Sequence, residues 1–146
     1  MTSLSEPEFR LRVAREFLEV ALRMSDRGVL ALAALGLVLA VENAVLSVIS
    51  CFKPPSKVGD LVMELRSVVE DLGGELAGEA PLLGELVEVA QYVMYTYRDL
   101  LTYGDPASGR TPSELLQPVD FEDLASKAAR IVEVSEALIA KLLRSA

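Results

Sequence analysis

Apolar residues along this chain recur every three to four positions, and no stretch alternates with the period of a strand, so the pattern predicts helices throughout. Ser5-Glu6-Pro7-Glu8 has the spacing of a capping box with a proline in its first turn. Phe9, Val13, Phe17, Ala21 and Met24 then mark one face of a first helix that should end near Asp26-Arg27-Gly28. The second helix, over about 29–52, is apolar almost all round, which predicts a central helix wrapped by its neighbours. Gly36, Ala40 and Ala44 form a ridge of small residues on it, suited to close approach of another backbone. Pro54-Pro55 should stop it, because proline lacks an amide donor and restricts the residue before it.

A third helix is expected over about 57–72, with Leu61, Leu65, Val68 and Leu72 in one stripe and Gly73-Gly74 as its stop. The fourth, about 81–102, places Leu83, Leu86, Ala90, Val93, Tyr97 and Leu101 together. Gly104, Pro106, Gly109, Pro112 and Pro118 make 104–119 a loop. A fifth helix should start at Asp120 as N-cap and carry Phe121, Leu124, Ala128, Ile131, Ser135, Leu138 and Leu142. The expected fold is all-α, a single domain over 1–146 built as an antiparallel up-and-down bundle of about five helices with one long loop. A loop of that length is a candidate functional element.

Composition narrows the function. The net charge of −8 argues against general nucleic-acid binding, which rests on Lys and Arg neutralising phosphates. Residues 59–90 hold eight acids (Asp60, Glu64, Glu70, Asp71, Glu75, Glu79, Glu85, Glu88) and one base, Arg66, whereas residues 1–27 balance five Arg against five acids. The acidic stretch reads either as a solvated face or as a surface for a basic partner. Val29–Val41 is an uninterrupted apolar run of 13 residues before Glu42-Asn43, shorter than the roughly 18 a membrane span wants. The first 27 residues carry charge throughout, unlike a signal peptide. No membrane insertion and a cytoplasmic location are therefore expected. A single cysteine, Cys51, excludes an internal disulfide framework and reads as a buried, inert thiol.

With no histidine and one cysteine, the common catalytic triads and zinc sites have no residues to use, and no phosphate-cradling glycine motif is present. No cofactor or metal is expected. Two polar positions interrupt the helical pattern. Glu42 breaks the most apolar helix, and reads either as the partner of an Arg on a neighbouring helix or as a carboxylate lining a cleft. Arg98 sits near the end of helix four, and reads either as a dipole-complementing cation paired with Asp99 or Glu122, or as an anion-binding fork. All four tyrosines, Tyr92, Tyr95, Tyr97 and Tyr103, fall close together there; Tyr92 and Tyr95 should share a face, as packing residues or as a stacking surface for a base.

Three segments in order carry a resemblance to a known family. They are Leu37-Val38-Leu39-Ala40-Val41-Glu42-Asn43-Ala44-Val45, then Ser56-Lys57-Val58-Gly59-Asp60-Leu61, then Thr102-Tyr103-Gly104-Asp105-Pro106 with Pro112 and Asp120-Phe121-Glu122-Asp123-Leu124-Ala125. Together the chain resembles the HEPN family of small prokaryotic helical proteins. Leu37–Val45 is similar to the family's central helix, with Asn43 where Lys is common. Ser56–Leu61 is similar to the segment opening its third helix, with Gly59 where His is typical. The stretch from Thr102 onward is similar to its Arg-Tyr-Pro-Asp loop, with Thr102 for the Arg and Gly104 for the Pro. Ribonuclease-type members carry Arg, a polar residue, spacers and then His. Arg98-Asp99 matches the start of that motif, but Tyr103 and Asp105 stand at the first and last permitted His positions.

The missing His removes the group that would do acid–base work on an RNA 2′-hydroxyl. What the resemblance implies is therefore a non-catalytic HEPN-like module, a homodimer associated with a minimal nucleotidyltransferase in a toxin–antitoxin type of pair, with a nucleotide as a further ligand. Arg98, Asp99, Tyr103, Asp105 and Glu42 are the candidate ligand-binding residues. The alternatives are a divergent ribonuclease or toxin using Arg98, and a purely structural helical subunit. A homodimer is also the natural answer to the apolar excess of helix two.

Overall fold

The computed structural model describes residues 5–55, 60–72 and 78–144; the side chain of Leu72 is outside that description, as are the expected Gly73-Gly74 stop and the Ser56–Gly59 part of the resemblance to the third-helix opening. Among the described residues the chain is an all-α bundle. Its elements are α1 (Glu6–Ser25), α2 (Leu30–Ile49), α3 (Leu61–Leu72), α4 (Ala80–Val93), a π-helical turn (Met94–Arg98), α5 (Asp99–Tyr103), α6 (Pro112–Leu115) and α7 (Pro118–Arg144).

The capping box at Ser5 forms as the sequence implies: the Ser5 side chain accepts from the Glu8 amide, and the Glu8 carboxylate accepts back from Ser5. The buried stripe of α1, however, is rotated from the expected one. Leu11, Ala14 and Ala21 are buried, Leu18 and Met24 pack against the core, and Phe9 is 47% exposed. Small residues explain the rotation. A Cβ added to Gly36 of α2 would stand 3.2 Å from the Ala21 Cβ, so the two helices approach through their smallest side chains and the bulky rings of α1 move to the margin.

Helix α2 is central, as its sequence predicts. It touches every other helix, and Leu37, Val38, Val41, Val45, Val48 and Ile49 have no exposed surface. It is long and apolar enough to cross a membrane by composition, yet 67% of its most apolar window lies buried inside the bundle, as a core helix would be. Asp60 caps α3 by accepting from the Val62 and Met63 amides at 2.9 and 3.2 Å.

Two boundaries differ from expectation. Asp120 is not the N-cap of the last helix. Pro118 occupies the first helical position, and Asp120, two residues further in, accepts from the Gln117 amide at 3.1 Å. The expected loop 104–119 is also more ordered than its Gly and Pro content suggested. Asp105 and Arg110 form an antiparallel bridge, and α6 follows with its own capping box between Thr111 and Glu114.

Candidate functional site

A cleft of about 1240 Å³ opens between the start of α1, the C-terminal half of α2 with the turn after it, the first turn of α3, and the π turn. That π turn positions the site. It interrupts the expected helix four at Met94–Arg98, burying Met94 and Tyr97 while Tyr95 and Arg98 face outward. A π turn closes i→i+5 bonds and is underwound relative to an α turn, so it shifts the side chains that follow onto a different face, and such insertions recur at functional sites.

Arg98 reaches across to α2, where its guanidinium lies 3.6 Å from Glu42 Oε1. This is an ion pair too long to be a hydrogen bond, with side chains 44% and 23% exposed. Glu42 thus both faces an Arg of a neighbouring helix and lines the cleft, and the ion-pair partner of Arg98 is this carboxylate rather than Asp99 or Glu122. Two further pairs line the same cleft, Arg10 with Glu6 at 2.9 Å and Lys53 with Glu64 at 3.5 Å. The Tyr95 hydroxyl donates to Asp60 Oδ2 at 2.7 Å, tying the π turn to the cap of α3. That bond, helped by the Met63 and Val62 amides, holds the Asp60 carboxyl below its ordinary range, and the same bond raises the Tyr95 phenol. Cys51 lies half-buried in the wall, where burial pushes its thiol up to about 11 and leaves it a poor nucleophile.

The charges do not balance. Among the described residues the cleft is lined by Arg10, Lys53 and Arg98 against Glu6, Glu42, Asp60, Glu64 and Asp99. The three cations each face a carboxylate, which leaves the described lining net acidic. Leu46, Phe52, Leu61 and Met94 supply apolar surface between the charges.

Of the five residues singled out from the sequence, the fold brings together Glu42, Arg98 and Asp99. Tyr103 and Asp105 are not among the residues lining the cleft. Tyr103 ends α5 with 73% of its surface exposed. Asp105 is engaged in its own turn, accepting from the Ala107 amide at 3.1 Å and the Ser108 hydroxyl at 2.8 Å, which lowers its pKa. The tyrosines part as well. Tyr92 does not share a face with Tyr95: it bonds Asp123 of α7 at 3.2 Å, stacks edge-on with Tyr97 and lies under the Lys127 ammonium. The π turn between them is the physical reason. The sequence pattern did not single out Asp60 and Tyr95 as a joined pair, although an aspartate just ahead of an apolar helical run is itself a capping signal.

Among the described residues no group of three or more His, Cys, Asp or Glu side chains is placed to hold a metal ion. No family model matches the chain, and no curated protein or solved structure is significantly similar to it.

Proposed function

We propose that this chain is a non-catalytic binding module that works as a homodimer and holds a protein partner in the cleft where Arg98 meets Glu42. One observation carries the reading: a large open cleft whose polar residues are arranged as exchangeable ion pairs, in a chain with no histidine. The resemblance to HEPN proteins supplies the kind of partner, a minimal nucleotidyltransferase, and a nucleotide as the second ligand. The acidic surplus of the cleft favours the protein over the phosphates of a nucleotide, which would meet unbalanced carboxylates. For the homodimer, support comes from an apolar corner at the start of α2. Val29 and Leu32 are 44% and 57% exposed there, beside a hollow they share with Leu35, Leu101 and Pro112.

Co-expression of the tagged chain with a minimal nucleotidyltransferase, taken from its gene neighbourhood where one is encoded, followed by capture, tests the reading. The partner is expected to be retained by the native chain and lost with Tyr95→Ala or Glu42→Arg, both at partly exposed positions that should leave folding intact. No retained partner, together with no melting shift on adding ATP, would overturn it.

A further inference from the structure

The walls of the cleft and its charges point to one chemistry. Leu46, Phe52, Leu61 and Met94 offer apolar surface, and the Tyr95 ring stands 55% exposed at the π turn with its hydroxyl fixed on Asp60. Such a surface suits the aliphatic stems of long basic side chains, whose charged heads then need carboxylates. Those carboxylates are present in excess. Asp60 accepts from Tyr95 and from the Val62 and Met63 amides, with Arg66 acting on it from outside the cleft, and Asp99 adds a charge that none of the three cleft cations pairs with. The volume, about 1240 Å³, exceeds the roughly 300–1,000 Å³ typical of small-molecule pockets and fits a length of chain.

The Arg98–Glu42 pair adds the device. At 3.6 Å and without a hydrogen bond, with Arg98 44% and Glu42 23% exposed, it is a loose contact that contributes little to stability. A second cation arriving at Glu42 can therefore replace Arg98 at little cost. Resting on the cleft reading above, we infer that the ligand is an extended basic segment of the protein partner, whose Lys or Arg side chains displace Arg98 from Glu42 and take up the charges of Asp60 and Asp99. Arg98 is then a competitor for the ligand's site, the opposite of an anion-binding residue.

That inversion gives the test. The probe is a fluorescein-labelled, end-blocked octapeptide alternating Leu with Lys and Arg, titrated with the full chain by fluorescence anisotropy near physiological salt. Saturable binding is expected. Glu42→Gln with Asp99→Asn should weaken it by about tenfold, while the charge-matched pair Glu70→Gln with Glu88→Gln, on positions outside the cleft, should change it by less than about twofold. Arg98→Gln should strengthen it roughly three- to tenfold by freeing Glu42. Equal weakening by the two double variants would reduce the binding to overall charge and overturn the inference, as would weakening by Arg98→Gln. Arg98-dependent binding of ATP, or of the same peptide with Glu for its basic residues, would also overturn the basic class while keeping the cleft as a binding site. Capture of the partner unaffected by Tyr95→Ala would instead remove the cleft reading itself.

Discussion

The Tyr95 hydroxyl joins two elements that sequence proximity does not, and its bond to Asp60 has a pH signature. Asp60 has an ordinary value of 3.8 and is held lower in the folded chain, first by Tyr95 and then by the Met63 and Val62 amides. A carboxyl depressed on folding contributes stability that is fully present above its unfolded value and is lost as pH falls through the folded one. The contribution of Asp60 is thus complete above about pH 4 and disappears in the acid range below it. Tyr95→Phe should raise the Asp60 pKa toward 3.8, leaving the two amide bonds and the Arg66 charge as the residual depression, and should lower stability at neutral pH, where the contribution is fully present, while changing it little in the acid range where that contribution is already lost. Carboxyl carbon chemical shifts followed through a titration check the first effect, and urea midpoints against pH the second. An unchanged Asp60 titration in the Phe variant would show that the amides and the Arg66 charge set its value without Tyr95. At this scale the sequence displayed which residues were unusual, Glu42 and Arg98, because each breaks an apolar pattern. It did not display that Tyr92 and Tyr95 turn apart, because the hydrogen-bond shift of a π turn leaves no mark in spacing.

Among the elements, capping was the legible feature and irregular backbone was not. Ser5 and Glu8 form the box their spacing promised. Thr111 and Glu114 form another that the density of Gly and Pro around it obscured. The start of that second box packs against Gly104, which stops α5 at φ 72° and ψ −160°, a conformation open to glycine and strained for other residues. A Cβ there would sit 2.7 Å from the Arg110 carbonyl oxygen, so the Asp105–Arg110 bridge fits only against a bare backbone. Gly104→Ala should cost about 2–3 kcal/mol, from strained φ/ψ plus a clash with backbone that cannot move aside. Gly109→Ala, at φ 72° with nothing within 4 Å of its Cβ, carries the strain without the clash and should cost about 1 kcal/mol. Urea denaturation of the pair separates the two contributions, and faster amide exchange at Asp105 and Arg110 in the first variant would locate the damage. Equal costs would mean that the close approach to Arg110 relaxes freely. The same turn explains why Asp105 reads as a site residue and is none in the cleft: its carboxylate is used by Ala107 and Ser108.

For the molecule as a whole, the deciding fact is how completely α2 is enclosed. Its C-terminal part, from Leu37 to Ile49, contributes more fully buried apolar residues than any other described helix, whereas its start leaves Val29 and Leu32 open to water. The apolar excess visible in the sequence is therefore mostly buried inside the bundle, and only a corner remains for a second copy. A stable interface takes about 800 Å² from each partner, more than two side chains and a hollow of about 510 Å³ supply unless neighbouring residues join in. The proposed homodimer should accordingly be weak, with dissociation in the micromolar range, and linkage makes that measurable. A dimer that forms only from folded chains raises Tm with concentration, by up to about 2.7 kcal/mol of added stability at a hundredfold excess over Kd. For a chain of this size each kcal/mol moves Tm by roughly 2–4 °C. Raising the protein from about 1 to about 100 μM should thus raise Tm by roughly 3–6 °C, after sharing the dimer's energy between two chains. Leu32→Ser should flatten that dependence while changing the dilute-limit Tm little, since the Leu32 side chain is already largely in water. A native Tm independent of concentration, with monomer mass in sedimentation at about 100 μM, would remove the dimer and leave the corner as ordinary exposed apolar surface.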